Sequence, residues 1–295
     1  MTQGHKLREV LSKSGILVLP GVYDCIGARL VEQLGFSVVF TSGFGISGST
    51  LGLPDYGFLT ATEMLWSVGR IVRSVGIPLV ADIDTGYGNP LNVIRTVTDV
   101  ISMGIAGVIL EDQEWPKKCG HFEGKRVIQM EEHVEKIRAA VYARGDNGLV
   151  IIGRTDARAP LGLDEAIRRG RAYFEAGADV VFIEAPQSID ELKEIAMAFP
   201  DAPLFANMIE GGRTPNLSAK QLEEIGFKIV VFPLSGLFAA TRAMEACFRH
   251  LKNHGTTAGF ENTLSFKEFE KLMDVPKYHE IEKKFAVSTQ DPSSD

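Results

Sequence analysis

Residues 111–121 carry the densest set of chemically active side chains in the sequence. Cys119 follows two lysines, Lys117 and Lys118, and precedes His121 by two residues. The lysine charge is expected to lower the pKa of the thiol and to make it usable as an acid or a nucleophile. A surface loop with an incidental cysteine is the alternative.

Four carboxylates form a second candidate set. Asp82 and Asp84 are two residues apart at the end of an apolar segment, so both side chains face the same side if that segment is a strand. Glu111 follows another apolar segment, and Asp55 lies in a long loop. Such oxygen ligands suit Mg²⁺, or Mn²⁺, held through a few carboxylates, waters and substrate oxygens. Capping of the next helix is an alternative for Asp84 but does not explain Asp82.

An arginine and a short Ser-Gly segment are candidates for binding an anion. Arg154 ends an apolar segment, where it needs a negative partner: either a substrate carboxylate or Glu184 on the next segment. Ser42, Gly43 and Phe44 offer a hydroxyl and backbone N–H groups.

These residues follow short apolar segments that alternate with amphipathic ones. Val, Ile and Leu dominate the short segments, as in parallel strands buried on both faces. The predicted strands are 16–19, 37–41, 78–83, 106–110, 149–153, 179–183, 204–206 and 228–232, and the helices between and after them are 60–75, 89–103, 130–143, 163–176, 189–199, 218–225 and 237–250. Repeated strand–helix units with eight strands predict a (β/α)8 TIM barrel. A doubly wound open sheet is the alternative, which the absence of a Gly-x-Gly-x-x-Gly after the first strand disfavours.

Polar residues follow nearly every predicted strand. They are Ser42, Asp82 and Asp84, Glu111, Arg154, Glu184, Asn207 and Ser235. In barrel enzymes the active site lies at the carboxyl ends of the strands. The sequence therefore predicts an active site at this rim.

The C-terminal region breaks the strand–helix alternation. Residues 1–255 are predicted to form the barrel, and 256–287 one or two helices with Pro276 between them. Without a strand to follow, these helices are either a packed tail or an arm that reaches a neighbouring subunit. Residues 288–295 are predicted to be disordered.

Composition narrows the class of protein. The net charge is −7 and the basic residues are scattered, which disfavours a nucleic-acid binder. No apolar run is long enough for a membrane span, and the polar, basic first fifteen residues predict no secretory signal. Three cysteines without a pairing pattern suit a reducing compartment, so a cytoplasmic protein is expected.

Taken together, the motifs resemble those of the isocitrate lyase/phosphoenolpyruvate mutase superfamily. The matching segments are 42–43, 51–55, 82–88, 110–113, 117–121, 154–157, 206–207 and 233–235. The resemblance implies a (β/α)8 barrel with a helix exchanged between subunits, a homotetramer built as a dimer of dimers, Mg²⁺, and a small dicarboxylate substrate. It implies that Asp82 binds the metal directly and that Asp55, Asp84 and Glu111 hold metal-bound waters. It also implies that Ser42, Gly43, Arg154 and Asn207 contact substrate, with Glu184 beside it.

The Lys-Lys-Cys-Gly-His segment is similar to the carbon–carbon lyase branch. In those enzymes the cysteine is the proposed general acid, which implies that Cys119 protonates a carbanion while Lys117 and His121 tune its pKa. Tyr23, or Asp55 acting through water, is the candidate for the base that takes the hydroxyl proton.

Two departures from methylisocitrate lyases narrow the expected substrate. Phe122 stands where those enzymes have an arginine, and Phe40 where they have a tyrosine. Loss of a carboxylate anchor disfavours a tricarboxylate, so the expected reaction is retro-Claisen cleavage of 2,3-dimethylmalate to pyruvate and propionate. The alternatives are an oxaloacetate hydrolase or decarboxylase, a methylisocitrate lyase, a carboxyphosphonoenolpyruvate phosphonomutase, and, in a different class, a non-catalytic ligand-binding barrel.

Overall fold

The fold is a closed barrel of eight parallel strands in sequential order. In the computed structural model, which describes residues 1–286, each strand pairs with its neighbours in the chain and the first pairs with the last. The strands are β1 Leu17–Val22, β2 Val39–Thr41, β3 Leu79–Asp82, β4 Gly107–Glu111, β5 Val150–Thr155, β6 Val180–Ile183, β7 Leu204–Asn207 and β8 Ile229–Phe232. The predicted (β/α)8 barrel is confirmed.

Helices follow the strands in the order expected for this fold. They are α1 Gln3–Ser12, α2 Cys25–Gln33, α3 Gly43–Leu51, α4 Ala61–Arg73, α5 Pro90–Ser102, α6 Met130–Arg144, α7 Arg158–Leu161, α8 Leu163–Glu175, α9 Ile189–Ala198, α10 Ala219–Ile225, α11 Ser235–His254, α12 Phe266–Leu272 and α13 Val275–Phe285. Thr60 caps α4 in the predicted capping box with Glu63. The structure therefore contains all seven of the helices predicted between and after the strands.

Side chains along each strand alternate between two apolar layers, one inside the barrel and one between the strands and the helices. Ile109 belongs to an apolar cluster inside the barrel, whereas its neighbours Val108 and Leu110 belong to a cluster between strands and helices. Both faces of β4 are buried, which explains why the strand is continuously apolar. Polar side chains are consequently confined to the strand ends.

Helices α1 and α3 are among the helices that the predicted ranges do not include. Helix α1 precedes the barrel, and Gly4 packs directly on the backbone of Gly148. Helix α3 contains three glycines, two serines and a threonine, residues of low helix propensity. It forms because Ser42 caps it by accepting a hydrogen bond from Gly45 N–H (3.3 Å) and because Ile46 is fully buried.

The chain divides into two compact units. The first, Met1–Ala239, contains the barrel, and the second begins at Ala240 and contains α12 and α13. Pro276 lies in the first turn of α13, where its missing N–H has no helical partner to lose. The boundary at residue 255 and packing on a neighbouring subunit stay predictions, and the predicted tail 288–295 lies outside the described residues. Among residues 1–286, no helix is long and apolar enough to cross a membrane.

Candidate active site

A small cavity of about 50 Å³ opens at the carboxyl ends of the strands. Its floor is formed by apolar side chains from inside the barrel. Around its rim lie most of the predicted site residues: Ser42, Phe44, Asp55, Asp82, Lys117, Cys119, His121, Arg154, Glu184 and Asn207. The chemically active residues singled out in the sequence therefore meet in one place.

Lys117 lies among the carboxylates. Its Nζ is 2.8 Å from both carboxylate oxygens of Asp55 and 2.7 Å from Oδ1 of Asp84. Burial alone would lower the pKa of Lys117, but Asp84 and Asp55 beside it raise it well above its ordinary value. The side chain is thus a fixed ammonium ion between two acids. Asp84 does not cap a helix, since Asn89 caps α5.

The carboxylates still carry more negative charge than this lysine balances. Burial raises the pKa of Asp84 to about 6 and raises that of Glu111 well above its usual range. One buried oxygen of Glu111, Oε1, has no hydrogen-bond partner. Asp82 stands beside them, with Oδ1 accepting from Asp84 N–H at 3.0 Å. An added cation would stabilise the charged form of these side chains, so the donor set fits a divalent metal ion.

The geometry limits how such an ion could be held. Within residues 1–286, no three His, Cys, Asp or Glu side chains converge closely enough to hold a metal ion on their own. An ion that is bound directly by one carboxylate and through water by the others is compatible with this geometry, because Mg²⁺ usually keeps several of its waters. Gly43 lies so close that a β-carbon there would come within 2.9 Å of Asp82 Oδ2. This glycine keeps the space beside Asp82 open.

Arg154 is partnered by three acids. Its Nε lies 2.8 Å from Asp156 Oδ2 and 3.3 Å from Glu111, and its NH2 group lies 3.3 Å from Glu184. Of the two partners expected from sequence, Glu184 is present, but Asp156 makes the shorter contacts. These acids hold the guanidinium in a fixed position at the cavity wall. There it can still donate hydrogen bonds to an anion.

His121 links the loop after β4 to Glu184. Its Nε2 lies 3.1 Å from Glu184 Oε1, and its Nδ1 accepts a hydrogen bond from Arg213 N–H at 2.9 Å. Burial would raise the pKa of Glu184, but Arg154 and then His121 lower it to about 2. Arg213 could not be identified from sequence, because its contribution is a backbone N–H group on a distant loop.

The environment of Cys119 reverses one expectation. Nearby lysine charge was expected to lower the pKa of the thiol, whereas burial raises it to about 12. Cys119 is 8% exposed, and its N–H donates to Asp55 O at 3.0 Å. The ammonium of Lys117 has less effect because Asp55 and Asp84 already neutralise it. The thiol therefore stays protonated at neutral pH, as a proton donor must.

Several residues suggested from sequence do not line the cavity: Tyr23, Phe122, Gly43, Asp84 and Glu111. Tyr23 lies beneath α3, with its Cβ close to Gly45, and lines a separate surface pocket. Phe122 packs edge-on against Phe44, with ring centroids 6.3 Å apart, and against Tyr56 at 5.3 Å. Phe44 forms the wall and Phe122 supports it from outside.

Asp112, next to Glu111, is a structural rather than a reacting carboxylate. It accepts hydrogen bonds from the hydroxyls of Thr155 and Tyr173, both at 2.7 Å, from Asp156 N–H at 2.8 Å and from Arg169 at 3.0 Å. Four donors fill its acceptor sites. The carboxylate therefore fixes the end of β5 relative to β4, and with it the position of Arg154.

The cavity is polar on one side and apolar on the other. Most of its charged groups, including Asp82, Arg154 and Glu184, come from the ends of β3 to β6, and Asp55 comes from the loop between α3 and α4. Its apolar rim comes from α3 and from the loops after β7 and β8, and consists of Phe44, Ile209, Pro233 and Leu234. Such a cavity can bind an acid by its carboxylates and enclose its alkyl part.

The fold and site have known counterparts. The sequence model of the family described as phosphoenolpyruvate phosphomutase matches residues 7–252. The chain is 46% identical over 288 residues to the 2,3-dimethylmalate lyase of Eubacterium barkeri. The aligned region covers 97% of this chain and 99% of that protein. The chain is 42% identical over 283 residues to a 2-methylisocitrate lyase of Aeropyrum pernix, covering 96% and 90%.

Structural comparison gives the same relationship. The fold superposes with a TM-score of 0.91 on oxaloacetate acetylhydrolase in complex with the inhibitor 3,3-difluorooxalacetate, at 34% identity over 96% of this chain and 97% of the other. Nearly full-length similarity in sequence and fold leaves no part of the barrel unmatched. The chain therefore belongs to the phosphoenolpyruvate mutase/isocitrate lyase superfamily.

Proposed function

We propose that the protein is a Mg²⁺-dependent carbon–carbon lyase that cleaves 2,3-dimethylmalate to pyruvate and propionate. The observation that carries the proposal is the placement of a protonated thiol, Cys119, and an arginine, Arg154, in one cavity with the buried carboxylates of Asp55 and Asp82, while Asp84 and Glu111 contact Lys117 and Arg154. The 46% identity to a 2,3-dimethylmalate lyase supports the choice of substrate. Carbon–carbon lyases of this superfamily use a metal ion, which is consistent with the carboxylate set.

Substrate binding divides between the two sides of the cavity. Arg154 would bind one carboxylate, with Ser42, the backbone of Gly43 and the amide of Asn207 as further donors. Asn207 Nδ2 lies 3.3 Å from Glu184 Oε1, and Asn207 Oδ1 has no hydrogen-bond partner. Phe44 and Leu234 would enclose the methyl groups of the substrate. Glu184 holds Arg154 and His121 in place.

The metal site would centre on Asp82, with Asp55, Asp84 and Glu111 acting through water. Mg²⁺, or Mn²⁺, suits oxygen donors of this kind. When bound, the ion supplies Lewis-acid stabilisation of negative oxygen at C2 of the substrate.

The proton transfers follow from the placement of the side chains. Asp55 lines the cavity and Tyr23 does not, so we assign Asp55, through water, to take the proton of the C2 hydroxyl. The C2–C3 bond then breaks, C2 becomes the ketone of pyruvate and the electron pair remains on C3. Cys119 gives its thiol proton to C3, which forms propionate. The Lys117 ammonium and a hydrogen bond from the His121 backbone both lower the pKa of the Cys119 thiol, which partly offsets the effect of burial and would favour release of its proton.

A panel of acids tests the proposal directly. Purified protein is incubated with 2,3-dimethylmalate, methylisocitrate, isocitrate and oxaloacetate, with Mg²⁺ and with EDTA, and pyruvate, glyoxylate and oxalate are measured. The expected result is Mg²⁺-dependent pyruvate from 2,3-dimethylmalate well above every other product. Equal amounts of propionate and pyruvate would establish the position of cleavage.

The alternatives give different products. Oxalate or pyruvate from oxaloacetate alone would indicate a hydrolase or decarboxylase, and pyruvate with succinate from methylisocitrate a methylisocitrate lyase. Activity on none of the four would favour the phosphonomutase. A non-catalytic binding barrel predicts no turnover and unchanged ligand affinity in Cys119→Ala.

Two further features belong to this proposal. We expect a homotetramer, a dimer of dimers, in which the helices after residue 255 pack on a neighbouring subunit. We also expect a cytoplasmic location, since three free cysteines suit a reducing compartment.

A further inference from the structure

A lysine outside the reacting set connects the cysteine loop to the barrel. Lys125 lies six residues after Cys119, and its side chain is only 1% exposed. Its Nζ donates to the backbone oxygen of Gly120 and lies 2.7 Å from Asp156 Oδ1. A buried ammonium with two oxygen partners is strongly fixed in position, since moving the carboxylate leaves a charge unpaired and moving the carbonyl leaves a buried donor unsatisfied.

Asp156 is shared between this lysine and Arg154. Arg154 donates to Asp156 through Nε at 2.8 Å and through NH2 at 3.1 Å, while Lys125 uses Oδ1. Asp156 is fully buried, and its own N–H is held by Asp112 at 2.8 Å. The acceptor to which the lysine binds is therefore rigid.

Gly120 contacts both Arg154 and Lys125. A β-carbon on Gly120 would lie 2.4 Å from the Arg154 NH2 nitrogen, so the backbone of the loop is pressed against the arginine. The same residue gives its carbonyl to Lys125. The loop thus touches Arg154 directly and is tied to it through Lys125 and Asp156. Gly120 lies between Cys119 and His121, so its position sets theirs.

We propose that Lys125 is a positioning residue that ties the cysteine loop to Asp156 and so holds Cys119 at a fixed place relative to Arg154. It does not touch substrate. Its kinetic consequence rests on the proposed lyase function, whereas its effect on the position of the loop does not. The two can therefore be measured apart.

The position of the loop is measured by the reactivity of each cysteine. Protein without substrate is treated with iodoacetamide at pH 8, and modification of Cys25, Cys119 and Cys247 is followed by peptide mass spectrometry. In Lys125→Met the buried stem is kept and the ammonium is lost. We expect alkylation of Cys119 to rise about tenfold as the loop opens more often. Cys25 and Cys247, which are outside the loop, should react at the wild-type rate.

Lys228 provides the matched control. Its ammonium also donates to two backbone oxygens, those of Lys13 and Gly15, at the amino-terminal side of the barrel. Lys228→Met should leave alkylation of Cys119 unchanged. Unchanged Cys119 reactivity in Lys125→Met, or equal acceleration at all three cysteines, would overturn the proposal, since the latter marks general loosening of the fold.

Kinetics and chemical rescue separate positioning from stability. For 2,3-dimethylmalate, Lys125→Met should lower kcat about 100-fold with a much smaller change in KM, because Arg154 keeps Asp156. In Lys125→Ala, added propylammonium should restore protection of Cys119, and propanol should not. Failure of the ammonium to protect Cys119 would contradict the proposal even if the wild type did not cleave this substrate.

Discussion

At the scale of single residues, burial sets the protonation states of the site. Cys119 stays a thiol because its surroundings cannot solvate a thiolate, and Lys117 stays charged because Asp55 and Asp84 lie against it. The thiol and the nearby cation are therefore both in the form that the proposed proton donation to a carbanion needs. Their types could be chosen from the sequence. The sign of the shift at Cys119 could not, because it depends on how deeply the loop is buried.

Replacing the thiol separates chemistry from binding. Cys119→Ser keeps the size of the side chain but puts a much weaker acid in its place, so turnover should fall by about 100-fold or more. Affinity for Mg²⁺ and pyruvate, measured by calorimetry, should stay within about threefold of wild type, since the thiol binds neither. Full activity in this variant would remove Cys119 from the chemistry.

A buried histidine outside the cavity makes stability depend on pH. His133 in α6 is fully buried against Tyr173, and burial, together with Lys136 and Arg169, lowers its pKa to about 3. The unfolded chain binds a proton at this residue below about pH 6.5, and the folded protein does not until near pH 3. Folding is therefore progressively disfavoured as the pH falls through this range.

His133→Phe should remove this dependence. Between pH 7 and pH 5 the free energy of unfolding of the wild type should fall by about 2 kcal/mol more than that of the variant. Urea unfolding at pH 7, 6 and 5 measures the difference. Exchange of the exposed His279 for Gln should leave the wild-type pH dependence intact. Parallel pH dependences in wild type and His133→Phe would show that His133 does not cause the effect.

At the scale of elements, the strands and the loop after β4 differ in how far their roles can be predicted. A strand repeats a pattern that the sequence displays, so the strand ends, with Asp82 and Glu111 on them, could be located in advance. The roles of Lys125, Asp156 and Arg213 could not, because each depends on two loops meeting in space. Helix α3 was not predicted, because capping and burial stabilise it and its residues have low intrinsic helix propensity.

Gly120→Ala tests whether the loop must approach Arg154 closely. A β-carbon on residue 120 would also lie 2.6 Å from Cγ of Glu184, so the loop could not keep the position beside Arg154 that it has in this structure. Turnover of 2,3-dimethylmalate should fall about 100-fold, because Cys119 would be displaced with the loop. The melting temperature should change little, since the loop can move away from Arg154 without disturbing the barrel.

Gly48→Ala is the matched control. This exposed glycine of α3 has no neighbour within 4 Å of the added carbon, and alanine favours the helix. Its activity should equal that of the wild type and its stability should be equal or higher. Wild-type turnover in Gly120→Ala would show that the loop tolerates a different closed position.

At the scale of the whole molecule, the C-terminal helices expose many apolar side chains in the isolated chain. Exposed residues of α11, α12 and α13 include Phe248, Phe266, Phe269, Tyr278, Ile281 and Phe285. Large exposed apolar surfaces mark sites of protein contact. The sequence predicted the presence of these helices but contains no signal that identifies the surface they cover.

Removing the arm tests its role in assembly. A chain that ends before Gly259 loses α12 and α13 and should show a smaller particle mass by light scattering, with a lower melting temperature. A chain that ends at Ala286 keeps both helices and should match the full-length protein. Unchanged mass and melting temperature after the larger truncation would rule out arm exchange.

The two-sided cavity has a consequence for changing the enzyme by design. Most of the charged groups belong to the ends of β3 to β6, where Asp112, Asp156 and Lys125 brace them, whereas Phe44, Ile209 and Leu234 come from α3 and from the loops after β7 and β8. The apolar lining can therefore be changed without replacing any of the groups proposed to react. A library varied only at these three apolar positions should yield enzymes with new substrate ranges that retain the same proton-transfer machinery.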